Sequence, residues 1–164
     1  MDASKVVPAA KRWAAEQSDD RLKLEAMWVI WGLGEVDRDL LGALLASDDH
    51  RVRSAAVKVV RFNAHKLDDE VALIDKAADD AHGRVRMEAL VAATWMAPEL
   101  GLPIVEKVKA NGLDGDAAKV ALMAADAIVR GEAIPKEATS RPKKTPQKKM
   151  SAMYTLGDEI YHRE

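Results

Sequence analysis

The sequence predicts an all-α fold: a right-handed α-solenoid of about four helix pairs over residues 1–130, a flexible linker over 131–150, and one short helix over 151–164. Three observations lead there. Apolar residues make up 48% of the chain but aromatics only 4%, and Ala and Val supply much of the apolar share, which suits closely packed helices better than aromatic-rich strands. A motif recurs along the chain, as "DDRLKLEAMWVIW" from Asp19, "DDHRVRSAAVKVV" from Asp48, "DDAHGRVRMEALVAATW" from Asp79 and, more faintly, "DGDAAKVALMAADAIV" from Asp114. Its alanines Ala26, Ala56, Ala89 and Ala121 stand 30, 33 and 32 residues apart. Helix breakers punctuate the units, and a helix pair that cannot bury its apolar face alone stacks on its neighbours.

Taken in order, Val6 to Ala15 forms the first amphipathic segment, followed by a second helix whose apolar stripe is Leu24, Met27, Trp28 and Trp31. Gly32 and Gly34 end it. Leu40 to Leu45 precedes a helix with Val52, Ala56, Val59 and Val60 inward, and Leu67 to Ala78 precedes one with Val85, Leu90, Val91 and Trp95 inward. Pro98 and Gly101 are expected to end that helix. Pro103 sits in the first turn of Ile104 to Ala110, where a missing N–H is tolerated, and Gly112 and Gly115 mark the turn into the last helix. The Asp pairs ahead of each second helix can cap its free N–H groups and suit the positive end of its dipole.

Charge and composition exclude several function classes. Residues 1–130 carry 18 basic and 22 acidic side chains, so the body is mildly acidic, which argues against a nucleic-acid or anionic-membrane surface for the whole fold. The chain contains no cysteine, which excludes disulfides, zinc ribbons and thiolate nucleophiles within it. The longest apolar stretch falls far short of the ~20 residues a spanning helix needs, and the N-terminus lacks an apolar core of signal-peptide length.

"DDHRVRSAAVKVV" and "HGRVRMEALVAA" resemble the second helix of HEAT repeats, with Asp near the turn, a Val-Arg pair and a following Ala. The resemblance covers roughly four fifths of the chain. It implies a fold rather than an activity, because such arrays serve unrelated functions.

The recurrent charges allow two readings. Arg21, Arg51, Arg84, Lys23, Arg53 and Arg86 would form a basic stripe on one edge, able to hold phosphates. Alternatively the arginines and the carboxylates of adjacent turns, Asp49 and Asp80 among them, form a ladder of charge-assisted hydrogen bonds that locks repeat to repeat, and this is the expectation. Trp13, Trp28, Trp31 and Trp95 are expected as core filler between layers, with one at an exposed interface. His50 and His82 fall at turn positions, His65 and His162 have no partner at ligand spacing, and no metal site is expected. No nucleophile elbow or P-loop is present, "GLG" at Gly32 to Gly34 ends a helix, and "DGD" at Asp114 lacks the rest of a calcium loop, so no catalytic residues are assigned.

Residues 131–150 contain Pro135, Pro142 and Pro146 with six basic residues, the composition of a semi-extended tether. Beyond it Met153, Leu156, Ile160 and Tyr161 recur as one helix face. Gly157 followed four residues later by Tyr161 resembles the first helix of class I cytochrome c domains, where such a stretch leads to Cys-x-x-Cys-His. Helical repeats, linker and this helix together resemble the segment of large secreted planctomycete-type proteins that lies between a propeller dehydrogenase-like domain and a haem-c domain. That resemblance implies a non-enzymatic scaffold that spaces an electron-donating domain from a haem domain, with protein domains of the same parent chain as partners and a periplasmic or secreted location. Cys-x-x-Cys-His is absent, so no cofactor is assigned to this chain, and haem c is implied only for a continuation past Glu164. The alternatives are a HEAT-like nucleic-acid binder and a bilin-lyase-like accessory protein.

Overall fold

A computed structural model describes residues 2–115 and 118–135. They form eight α-helices and no strand: α1 (Ala3–Ala15), α2 (Asp20–Gly32), α3 (Arg38–Leu45), α4 (His50–Phe62), α5 (Glu70–Ala78), α6 (Gly83–Ala93), α7 (Pro98–Asn111) and α8 (Ala118–Arg130), with a 3₁₀ turn at Ala64–Lys66. The described chain is therefore all-α. The expected helix face at Met153, Leu156, Ile160 and Tyr161, and most of the expected linker, lie outside the described residues.

Each odd-numbered helix packs on the helix that follows it, and α2, α4, α6 and α8 pack in succession beside one another. The seam between them is lined by small residues. Ala56 and Ala89 are fully buried and Ala26 nearly so, and side chains that end at Cβ let neighbouring helices approach closely. Met27, Leu44, Val52, Val60, Ile74, Val85, Leu90 and Ile104 fill the layer between the two rows of helices in one continuous core. Each such side chain contributes about 1.5–3 kcal/mol by leaving water.

The caps follow the local sequence where it repeats and depart where it does not. Asp19 and Asp49 accept from the backbone N–H of Arg21 and Arg51, as an Asp N-cap should. In the third unit two extra residues separate the Asp pair from the helix, and the cap passes to His82, whose Nδ1 accepts from the Arg84 N–H. Asp80 is thereby freed to face α4. Pro98 and Gly101 do not end a helix as expected: Pro98 starts α7, and Gly101 lies inside it. Proline suits the first helical position because its missing N–H would be unpaired there. Gly101 is required because α7 crosses the end of α6 so closely that a Cβ would stand 2.6 Å from the Ala93 carbonyl oxygen and 3.1 Å from Val129 Cγ1.

Candidate interaction site

The six recurrent cations divide by their position on the helix. Four residues past the cap, Arg53 and Arg86 point back into the junction with the next unit. Arg53 Nε and Nη2 donate to the two carboxylate oxygens of Asp80 at 2.7 and 2.9 Å, and its Nη1 donates to the carbonyls of Ser47 and Asp48 at 2.8 and 3.1 Å. The pair is well covered, with side chains 18% and 13% exposed. Arg86 donates from Nε to the Gly112 carbonyl at 2.8 Å and from Nη1 to the Asp80 carbonyl at 2.7 Å. Lys23, in the corresponding place on α2, pairs within its own helix with Asp20 at 2.8 Å.

Two residues past the cap the outcome differs. Arg21 reaches Asp49 of the next unit at 3.1–3.2 Å. Arg51 lies 3.4 Å from its own cap, Asp49, and stays largely in solvent. Arg84 is exposed and has no carboxylate within ion-pairing distance among the described residues. Of the residues singled out in the sequence, the structure thus joins Arg21 with Asp49, Arg53 with Asp80, and Arg86 with the backbone of Asp80; Arg51 and Arg84 make no bond to another unit.

Electrostatics follow this geometry. Burial pushes the Asp80 carboxyl up, but the Arg53 guanidinium and the His82 N–H outweigh it and hold the group below the usual carboxylate range. The hydrogen bonds to Asp80 hold the Arg53 guanidinium above its ordinary value against desolvation. Asp49 is held low first by the Arg51 backbone N–H and then by Arg21, against desolvation.

A second set of cross-links, which motif reading missed, ties the odd-numbered helices together. Lys11 meets Asp37 at 2.7 Å, Arg38 meets Asp69 at 2.8 Å, and Lys107 meets Asp75 and Asp79 at 2.7 and 3.0 Å. The signal was present as a cation and an acid about one repeat apart: Arg53 to Asp80 spans 27 residues, Arg21 to Asp49 spans 28 and Lys107 to Asp75 spans 32.

The tryptophans are less buried than core filler would be. Trp28 and Trp31 are half-buried, while Trp13 and Trp95 are exposed. Trp28, Trp31, Phe62 and Trp95 form a continuous row across α2, α4 and the turn after α6, with ring centroids 5.5, 5.5 and 5.0 Å apart. The Arg61 guanidinium sits 4.9 Å from the Phe62 ring centroid and 5.2 Å from that of Trp95. At the opposite ends of the same helices the rings of His50 and His82 stack, 3.5 Å between centroids and 4° from parallel. Desolvation and the neighbouring His82 push the His50 imidazole below its ordinary value.

Among the described residues no three His, Cys, Asp or Glu side chains gather as a metal site would require, and no helix is long and apolar enough to cross a membrane. Gly157 and Tyr161 lie outside the described residues. A haem thioether needs a cysteine thiol, and the chain has none, so its residues do not fit covalent haem. No protein-family model matches the chain, and neither does any curated protein or solved structure.

Proposed function

We propose that this chain is a non-catalytic scaffold built as a right-handed HEAT-type solenoid, and that it serves as an interaction segment between an electron-donating domain and a haem domain. The observation that carries the scaffold reading is the Arg53–Asp80 pair with its extensions to Ser47, Asp48 and Arg86. These polar side chains, set at recurrent positions, are spent on fixing one helix pair against the next. Scaffolding demands a rigid relation between distant ends, and bidentate, charge-assisted bonds across a packed seam supply it. The scaffold's partners are protein domains. The mildly acidic body, −4 over residues 1–130, supports this against nucleic acid.

The electron-transfer setting rests on the order of helical repeats, basic linker and Gly157–Tyr161 stretch. Reading the natural frame on both sides of residues 1–164 tests it. The expected result is Cys-x-x-Cys-His within a few residues of Glu164 and covalent haem when the extended protein is expressed with a c-type maturation system. A continuation without cysteines would remove the cytochrome setting and leave the scaffold.

A further inference from the structure

We propose that the open face shared by α2, α4 and α6 binds an acidic peptide segment of a partner protein, with one large apolar side chain of that segment anchored against Trp95. The proposal rests on the scaffold reading and names its contact surface.

Helical spacing places three lanes side by side. Arg51, Ala55, Lys58 and Phe62 lie in line on α4; Arg84, Glu88 and Val91 lie in line on α6, with Trp95 in the turn just past its end; Arg21, Glu25 and Trp28 lie in line on α2. Each lane begins with an arginine and runs toward an aromatic. Along α6 from Arg84 to its end at Ala93 the axial rise is about 13 Å, which about four residues of extended peptide span. Arg51 and Arg84, which contribute nothing to the contact between units, therefore share a surface with the most exposed aromatic side chain of the molecule's described part.

Trp95 is 60% exposed, yet its ring is held in place: Phe62 meets it edge to face and Arg61 lies against it. Such a fixed aromatic offers a large contact area at small cost in conformational entropy. Arg61 itself is nine-tenths buried, lies 3.7 Å from Glu88, and keeps an Nε with no hydrogen-bond partner. Beside Trp95 opens a cavity of about 290 Å³ lined by Arg61, Ile74, Met96 and Leu100. That volume lies just under the range of small-molecule pockets and suits a single anchoring side chain.

Charge selects the rest of the partner. Lys58 is exposed one turn before Phe62 and, like Arg84, has no carboxylate within ion-pairing distance among the described residues. Of the acids on this side, Glu88 is engaged with Arg61, Asp49 with Arg21 and Arg51, and Glu70 lines the cavity. Glu25 stands on α2, away from Trp95. A nucleic acid could also stack on aromatics, but its unbroken row of phosphates would run past Asp19, Asp48 and Asp49 at the arginine end, whereas a peptide sets its carboxylates singly.

The test is fluorescence anisotropy of labelled synthetic probes on the full 164-residue chain: a Glu-rich peptide with a central Phe, the same peptide with Lys for Glu, the same with Gly for Phe, and single-stranded oligothymidine. The Glu/Phe peptide is expected to saturate at micromolar concentrations. Replacing its Phe with Gly, or Trp95→Ala in the protein, should each weaken binding roughly tenfold or more. Lys58→Glu should weaken it about threefold. Trp95 and Lys58 are exposed, so unchanged thermal melts establish that both variants fold. Absence of saturable binding of the Glu/Phe peptide, equal binding of the Lys peptide, undiminished affinity in Trp95→Ala, or tighter binding of oligothymidine would each overturn the proposal. None of these outcomes touches the scaffold reading, whose electron-transfer setting is tested by the reading frame.

Discussion

Replacing Arg53 with Ala separates the two classes of arginine. The side chain makes four hydrogen bonds, two to Asp80 and two to the carbonyls of Ser47 and Asp48. Its loss leaves Asp80 with a carboxylate that is 13% exposed and retains only the His82 N–H as partner. Removing one member of a fully buried pair costs about 3–5 kcal/mol. Here water can reach the edge of the site and hydrate the two carbonyls, so the expected loss is about 2–4 kcal/mol. Arg51→Ala and Arg84→Ala remove only solvent-facing groups and should cost less than about 0.5 kcal/mol. Urea unfolding followed by circular dichroism measures all three. A double-mutant cycle with Asp80→Ala should return a coupling of about 1 kcal/mol or more. Equal losses for Arg51→Ala and Arg53→Ala, or a coupling near zero, would refute the assignment of locking to Arg53 rather than Arg51. A flatter acid dependence should accompany Arg53→Ala. The folded Asp80 carboxyl is held below its ordinary value, so its contribution is present above the unfolded value near 3.8 and is lost as pH falls through the lower folded value. Without Arg53 that contribution shrinks.

Ala56→Asp places a carboxylate at a position with no exposure, in the seam between α4 and its neighbours, and should cost several kcal/mol, about 3–5, with loss of the helical signal well below the wild-type melting temperature. Gly101→Ala gains about 1 kcal/mol of helix propensity, but its Cβ would stand 2.6 Å from the Ala93 carbonyl oxygen, so a net loss of about 1–2 kcal/mol is expected; a stabilised variant in thermal melts would contradict the close approach of α6 and α7. The His50–His82 stack predicts a fall in stability on mild acidification. Because desolvation and His82 hold the folded His50 below 6.5, its contribution is fully present above that pH and is lost as pH falls from there through the folded value. Melts at about pH 7.5 and about 5.5 should differ more for the wild type than for His50→Gln, and an equal difference would place the titration elsewhere.

Much of the helical layout was legible because its signals are local. The Ala26, Ala56 and Ala89 repeat marked positions that lie buried in the core. Asp19 and Asp49 announced their helix starts because a cap bonds within two residues of itself. The end of the third second-helix was misread for the converse reason. Pro98 and Gly101 look like breakers in isolation, and nothing nearby in sequence says that Gly101 is there for the approach of Ala93 rather than for a turn.

By itself the sequence determined that residues 2–115 and 118–135 are helical and which positions recur, because spacing and backbone propensity act within a turn or two. Tertiary structure decided what the recurrent charges do. Whether an arginine reaches another unit depends on how far α4 and α6 are rotated about their axes when they pack: two residues' difference along a helix turns a side chain by about 200°, which carries Arg53 into the junction with Asp80 and leaves Arg51 in water. The same packing gathers Trp28, Trp31, Phe62 and Trp95 into one row. Their separation along the chain hides that row until the helices stand side by side.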